Sequence, residues 1–211
     1  YWGEGAYDLE NVEFGMKVDK YYSKAKPYDG YPDKSFRYFD KEKKICKTKK
    51  GKKAVIYQYS SIETNYGEVL ARFGNFEFPY TGMLADKSGK LIGILAQGRL
   101  DGTAAVDSLL YALAEKYGQK CYMTEEYFGE RNFGWYMNDR TIQLYVCKPV
   151  PEHLDAVIYL EENEKGERKI VGGGSQPHTW YEVRLTVTKT KYDPFIDCIE
   201  FGDWMYFNDL L

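Results

Sequence analysis

The sequence predicts an α+β fold, with a mostly antiparallel sheet and one main amphipathic helix packed on it. The helix is expected at about 103–117, where apolar residues recur at helical spacing and form a single stripe. Asp101 or Thr103 can cap its first turn, and Gly118 can adopt the left-handed conformation that ends a helix. Because a helix with one apolar face must bury it, we expect it to lie across a sheet. The stripe consists of Val106, Leu109, Leu110, Leu113 and Tyr117.

Strand patterns surround this helix. Before it, apolar runs at 84–85 and 91–96 flank a turn at 86–90, and after it segments 135–137 and 141–147 flank a tight turn at 138–139. One or two short helices are expected, at 17–25 and after Pro194. A single domain, 1–211, is favoured, although residues 149–151 could instead join two subdomains. Further strands are predicted at 36–39, 54–60, 67–78 (with Gly74 as a bulge), 154–160 and 181–190.

Composition places the chain among ordinary globular proteins. It has 211 residues, of which 44% are hydrophobic and 29% charged, and no apolar run approaches the roughly 18–20 residues of a membrane span. The sequence begins at Tyr1 without an initiator Met, so it is either a processed protein or a trimmed form, and removal of an export signal is one of the alternatives. We therefore expect an extracytoplasmic location, either periplasmic or surface-anchored.

Aromatic residues are unusually frequent, with 21 Tyr, 11 Phe and 4 Trp. Such residues favour strands, and Tyr also combines contact area with a polar tip in recognition surfaces. In segments 28–40 and 127–136, aromatic residues alternate with polar ones, as sugar-binding surfaces require. The alternative is a β-rich core. The candidate aromatic surface consists of Tyr28, Tyr31, Tyr127 and Trp135.

Segment 171–180 contains three consecutive glycines and is predicted to be a mobile loop. It lacks the Lys-Ser/Thr ending of a phosphate-binding loop and has no Gly-x-Ser-x-Gly nucleophile motif. If the loop binds a ligand, its hydroxyl, amide, imidazole and indole groups would supply the contacts. These candidate residues are Ser175, Gln176, His178 and Trp180.

The run from Lys41 to Lys53 contains eight lysines and one glutamate. Lysine patches attract polyanions, but the absence of Arg makes nucleic acid an unexpected partner. The favoured interpretation is a solvated hairpin around Gly51, whose lysines discourage pairing between sheet edges.

Catalytic and metal-binding patterns are missing from the sequence. The two histidines, His153 and His178, do not form a His-x-x-x-His or His-Glu-x-x-His motif, and no carboxylate pair has a suitable spacing. We expect no catalytic residues, no metal and no cofactor, so enzymatic activity is unsupported. Four cysteines without a Cys-x-x-Cys motif allow three disulfide pairings, of which Cys121–Cys147 is geometrically the most plausible, but buried free thiols are the favoured interpretation. The remaining two are Cys46 and Cys198.

Two segments resemble known families. The Gly15-Met16 step within 12–21 resembles the opening of exported helix-and-sheet domains of the beta-lactamase-inhibitor-like and outer-membrane-assembly lipoprotein type. Residues 109–118, together with Trp135 and 141–145, resemble uncharacterised exported proteins of gut anaerobes. The resemblance implies an exported, non-catalytic α+β protein and assigns no functional residues.

Three functions follow as hypotheses. The first is a non-catalytic interaction protein that binds a protein or cell-envelope partner through its sheet face or loops. The second is a carbohydrate-binding module, or an enzyme acting on sugars, that uses exposed aromatic residues. The third is a polyanion-binding protein that uses the run from Lys41 to Lys53.

Overall fold

A computed structural model describes residues 3–23, 36–40, 45–47, 53–62, 69–119, 122–127, 130–147, 153–162 and 168–190. Two helices lie in these ranges, α1 (Val18–Tyr21) and α2 (Gly102–Tyr117), besides a 3-10 turn at Leu9–Asn11. The strands in the described ranges are β1 (Tyr7–Asp8), β2 (Phe36–Asp40), β3 (Ile45–Lys47), β4 (Lys53–Ile62), β5 (Ala71–Phe73), β6 (Phe76–Phe78), β7 (Tyr80–Asp86), β8 (Leu91–Asp101), β9 (Tyr122–Tyr127), β10 (Glu130–Tyr136), β11 (Arg140–Val146), β12 (His153–Glu162), β13 (Arg168–His178) and β14 (Trp180–Lys189).

The predicted α+β class is confirmed. Within the described ranges, nine strands form one antiparallel sheet in the order β2-β4-β7-β8-β14-β11-β10-β9, and β3 pairs with β4. A second sheet, β1-β5-β6, contains one parallel pair, β1 with β5. Strands β12 and β13 form a separate antiparallel hairpin. No helix in the described ranges is long and apolar enough to cross a membrane.

Helix α2 packs on one face of the large sheet, which we call the helix face. Val106, Leu109 and Leu113 of the predicted stripe are fully buried there, and Leu110 and Tyr117 are partly buried against them. Strand residues alternate between faces, so every second residue of β14, β11 and β10 reaches this core. The sheet residues that contribute are Val183, Leu185, Val187, Ile142, Leu144, Val146, Phe133 and Trp135. The opposite side of the sheet is called the far face below.

The ends of α2 match the prediction in part. Gly118 has a φ of +99°, and its N–H donates to the carbonyl of Ala114 over 2.8 Å, so it ends the helix as expected. Asp101 occupies the N-cap position, but its side chain does not cap the first turn. Thr103, the alternative capping residue, lies inside the helix, so neither predicted residue caps α2 with its side chain.

Both predicted turns near α2 are present. The turn between β7 and β8 is held by Asp86, whose Oδ1 accepts hydrogen bonds from the N–H groups of Ser88 and Lys90, and Gly89 there has a φ of +76°. At the second turn, the N–H of Met137 donates to the carbonyl of Arg140 over 2.9 Å.

Three predicted elements differ from the structure. The strand expected at 67–78 is two short strands, β5 and β6, because Gly74 has a φ of +55° and forms a turn instead of a bulge. The helix expected at 17–25 is the single turn α1; residues 24–25 of it lie outside the described ranges. The mobile loop expected at 171–180 is mostly strand β13, whose backbone pairs with β12 over its whole length. The helix expected after Pro194 also lies outside these ranges.

Candidate functional site

The predicted ligand loop does not form a loop. Ser175, Gln176 and His178 lie in β13, and Trp180 begins β14 in the large sheet after the single residue Thr179. The side chains of the first three lie outside the described part of the chain. Trp180 is half-buried, and the guanidinium carbon of Arg99 lies 4.1 Å from the centre of its ring.

The predicted aromatic surface is corrected at Trp135. Only 1% of this residue is exposed, because it lies on the helix face and its indole Nε1 donates a 2.9 Å hydrogen bond to the carbonyl of Gly118. Trp135 is a core residue and cannot contact a ligand at the surface. Tyr28 and Tyr31 lie outside the described residues, as does the side chain of Tyr127 in β9.

The residue after Trp135 is the exposed aromatic residue of this strand. Tyr136 is 59% exposed and lies on the far face, since consecutive strand residues point to opposite sides. Its ring covers Gly134: a β-carbon at position 134 would come within 3.2 Å of both Cε2 and the hydroxyl oxygen of Tyr136. The absence of a side chain at Gly134 therefore lets the ring lie on the strand, a contact known from glycines in sheets.

Two carboxamides flank this ring. Asn132 precedes Gly134 on the same face of β10, and Gln143 of β11 is the register partner of Gly134. Both side chains are half-buried, and within the described part of the chain neither carboxamide makes a hydrogen bond. Each carboxamide can donate two hydrogen bonds and accept others. We name Tyr136, Gly134, Asn132 and Gln143 the Tyr136 surface.

The Tyr136 surface is held in place by its turn. The hydroxyl of Thr190 donates to the carbonyl of Met137 over 3.1 Å, and the N–H of Thr190 donates to the carbonyl of Asp139 over the same distance. Arg140 forms a 2.8 Å ion pair with Asp139, and this guanidinium holds the pKa of the Asp139 carboxyl below its usual range. These contacts fix the hairpin that presents Tyr136.

A second polar group on the far face is largely buried. Glu182 and Arg184 of β14 form a 3.2 Å ion pair whose side chains are only 14% and 10% exposed. The Nε2 of Gln97 donates to the same Glu182 oxygen over 2.5 Å, while its own Oε1 is buried and has no hydrogen-bond partner among the described residues. Arg184 thus compensates the charge of Glu182 and Gln97 adds a hydrogen bond, which is how buried carboxylates are usually accommodated.

Cys147 adjoins this buried group. Its thiol is free, so the Cys121–Cys147 disulfide, geometrically the most plausible of the predicted pairings, is not formed. Burial, with a smaller contribution from the charge of Glu182, raises the pKa of the Cys147 thiol to about 12. Burial also raises the pKa of nearby Tyr145. Because the thiolate is the reactive form, Cys147 is not arranged as a nucleophile.

The lysine-rich run is partly described. Strand β3 pairs with β4 so that Lys47 lies opposite Lys53, which supports the predicted hairpin. The rest of the run, including Gly51, lies outside the described residues. Among the described side chains, no group of three or more His, Cys, Asp or Glu residues is placed to bind a metal ion.

Comparisons with known proteins add no relative: no family model, curated protein or solved structure matches this chain.

The prediction of a surface aromatic residue in this strand was wrong at Trp135, and the exposed aromatic residue is its neighbour Tyr136. The alternation of Phe133 and Trp135 with Asn132, Gly134 and Tyr136 places the large apolar residues on one face and the polar ones with Tyr136 on the other. Applying this period would have assigned Trp135 to the core and Tyr136 to the surface.

Proposed function

We propose that this protein is a non-catalytic binding protein that recognises a neutral glycan through the Tyr136 surface. The observation that carries the proposal is the exposed Tyr136 ring lying on Gly134 beside the carboxamides of Asn132 and Gln143. A sugar ring has an apolar face of C–H groups and a rim of hydroxyls. A fixed aromatic ring with adjacent planar amides complements both parts.

The electrostatic surroundings favour a neutral ligand. On the β11 and β14 side of the Tyr136 surface, the neighbouring far-face positions Thr141, Thr186 and Thr188 are uncharged. On β10 itself, the acidic residue Glu130 shares the far face two positions before Asn132. Because the Tyr136 ring already lies against Gly134, we expect little side-chain entropy to be lost on binding. A neutral sugar therefore fits this surface better than an acidic one.

The buried polar groups support binding over chemistry. Cys147 is protonated near neutral pH because its pKa is raised, and Glu182 is engaged by Arg184 and Gln97. General acid–base catalysis needs a group whose pKa lies near the working pH and that can reach the substrate. In the described part of the far face, we therefore assign these buried groups the role of supporting a binding surface.

A protein partner is the second candidate, and Met137 is the observation in its favour. This residue is 40% exposed at the tip of the hairpin, next to Tyr136. Methionine and tyrosine are both enriched at protein interfaces. This candidate would be favoured if substitution of Met137 abolished binding while substitution of Asn132 or Gln143 left binding unchanged.

An extracytoplasmic location is part of the proposal. It rests on the resemblance to exported helix-and-sheet domains. It also agrees with the proposed ligand, because a glycan of the cell envelope lies outside the cytoplasm. Fractionation of cells expressing the full-length gene product would test it, with recovery from the cytoplasm contradicting it.

The test of the glycan proposal is an array of neutral and acidic glycans probed with the whole chain. We expect binding to neutral glycans that weakens at least about tenfold in Tyr136→Ala, which corresponds to about 1.4 kcal/mol. Asn132→Ala and Gln143→Ala should weaken it as well. Gly134→Ala should do so while retaining Tyr136, because the added β-carbon displaces the ring.

The matched control is Tyr111→Ala. Tyr111 is 70% exposed but lies on α2, on the other side of the sheet, so its loss should leave glycan binding unchanged. An array without hits, or hits that survive Tyr136→Ala, would overturn the proposal. Hits confined to acidic glycans would contradict the predicted ligand class.

A further inference from the structure

The hairpin of β12 and β13 brings the two histidines of the chain to one position. His153 and His178 are Cα partners in its antiparallel register, at the open end where β12 begins and β13 ends. Residues directly opposite each other in such a pair share a face of the hairpin, with Cβ atoms about 4.5–5.5 Å apart. Two residues far apart in sequence thus become immediate neighbours.

The next register row on that face adds oxygen-bearing residues. Asp155 follows His153 by two positions, and its register partner is Gln176, which precedes His178 by two positions. Because strand residues alternate between faces, all four positions lie on the same side of the hairpin. The row after that holds Val157 and Gly174, which carry no metal-binding group.

This set matches the ligand preferences of borderline transition metals. Imidazole suits zinc, nickel, copper and iron, and two imidazoles with one carboxylate are a recurrent ligand set for zinc and for non-haem iron. Opposite positions in an antiparallel pair are close enough for one ion to bind two imidazoles, since metal–nitrogen distances are about 2.0–2.1 Å.

We propose that His153 and His178, with Asp155 as the third ligand, form a binding site for a divalent transition-metal ion such as Zn²⁺. The site is independent of the glycan proposal, because β12 and β13 form a sheet separate from the one that carries Tyr136. Bound metal links the two strands at their open end. The single residue Thr179 separates this end of β13 from Trp180, where β14 begins. The ion therefore stabilises the hairpin where it joins the large sheet.

Cobalt is the most informative probe, because its absorption spectrum reports the ligand type. Co²⁺ titrated into the reduced whole chain should give saturable visible bands of nitrogen and oxygen ligation, without the near-ultraviolet charge-transfer band of a thiolate ligand. Excess Zn²⁺ should remove these bands by competition. A thiolate band would assign the metal to cysteine residues and would overturn the site.

Single substitutions then locate the ligands. His153→Gln and His178→Gln should each raise the dissociation constant for Zn²⁺ at least about tenfold, the minimum seen even for residues outside the first coordination sphere. Asp155→Asn should also weaken binding. The matched control is Glu161→Gln, which removes a carboxylate of β12 in the row of Lys169, away from the open end, and should leave Zn²⁺ affinity unchanged.

Folding is monitored separately from binding. In the presence of a chelator, all four variants should keep the circular dichroism spectrum and unfolding temperature of the parent chain. Zn²⁺ should raise the unfolding temperature of the parent and of Glu161→Gln only, because a ligand stabilises the state that binds it. No saturable binding by the parent chain, or a Zn²⁺ affinity in either histidine variant equal to that of the parent, would overturn the proposal.

Discussion

The indole Nε1 of Trp135 donates a 2.9 Å hydrogen bond to the carbonyl oxygen of Gly118, the residue that ends α2. This bond ties β10 of the large sheet to the end of the main helix. Trp135 is also among the largest fully buried side chains of the described residues. The strand that presents Tyr136 on the far face is thus anchored on the helix face by the preceding residue.

Replacing Trp135 with Phe tests this anchor. We expect the free energy of unfolding to fall by about 2–4 kcal/mol, because the change removes a hydrogen bond and part of a buried ring system. Urea unfolding at neutral pH measures the loss. Tyr111→Phe, at a site 70% exposed, should change stability by less than about 0.5 kcal/mol. Equal stability of Trp135→Phe and the parent would show that the anchor contributes little.

The buried ion pair on the far face gives a second prediction. Glu182→Gln removes the carboxylate that Arg184 and Gln97 contact, while Arg184 stays nine-tenths buried. Removing one partner of such a pair typically lowers the free energy of unfolding by about 3–5 kcal/mol. We expect a loss near the lower figure, because Gln can still accept a hydrogen bond. Urea unfolding again supplies the measurement.

The matched control for Glu182 is an exposed pair in the small sheet. The Nη2 of Arg72 lies 2.9 Å from the Oε1 of Glu77, but both side chains are about half exposed. Glu77→Gln should cost at most about 1 kcal/mol, since surface ion pairs contribute little. Similar losses in both variants would contradict the structural role assigned to the burial of Glu182.

Local sequence signals predicted the parts of this fold that local chemistry determines. The end of α2 at Gly118 and the turn held by Asp86 depend on residues within a few positions of each other, so both were visible in the sequence. The apolar stripe of α2 was equally visible, because helical periodicity does not depend on the partner surface.

Non-local pairing explains most of what the sequence did not reveal. The glycines of β13 indicate a loop when considered alone, and they are extended because β12 supplies a register partner for each of them. The same pairing places His153 opposite His178, a relationship invisible to motif searches that use spacing along one chain segment. Trp135 is different: the alternation around it is a local signal of its burial, but the aromatic content of the segment led to its prediction as a surface residue.

Cys147 provides a third prediction, on thiol reactivity. Its pKa of about 12 leaves almost no thiolate at pH 8, whereas an ordinary cysteine with a pKa near 8.5 is partly ionised. We expect iodoacetamide to modify Cys147 at least 100-fold more slowly in the native protein than in urea. Peptide mass spectrometry after timed quenching distinguishes Cys147 from the other cysteines. Equal native and unfolded rates would show that this thiol is accessible and ionised.

The tyrosine cluster on the helix face gives a fourth prediction, on alkaline pH. The rings of Tyr7 and Tyr21 lie 4.9 Å apart, those of Tyr21 and Tyr22 also 4.9 Å, and those of Tyr22 and Tyr59 4.5 Å. Burial raises the pKa of all four tyrosines, and that of Tyr21 reaches about 12. The folded state therefore binds phenolic protons more tightly than the unfolded chain does.

The sign of the pH dependence follows from this difference. Below pH 10 both states keep these protons, and the stabilisation is fully present; above pH 10 the unfolded chain releases its protons first. We expect the free energy of unfolding to fall steadily from pH 10 to 12, with tyrosinate absorbance rising together with the loss of circular dichroism. In Tyr21→Phe the decline should be shallower, because one phenol with a raised pKa is missing. A decline that is equally steep in this variant would mean that Tyr21 does not contribute to alkaline unfolding.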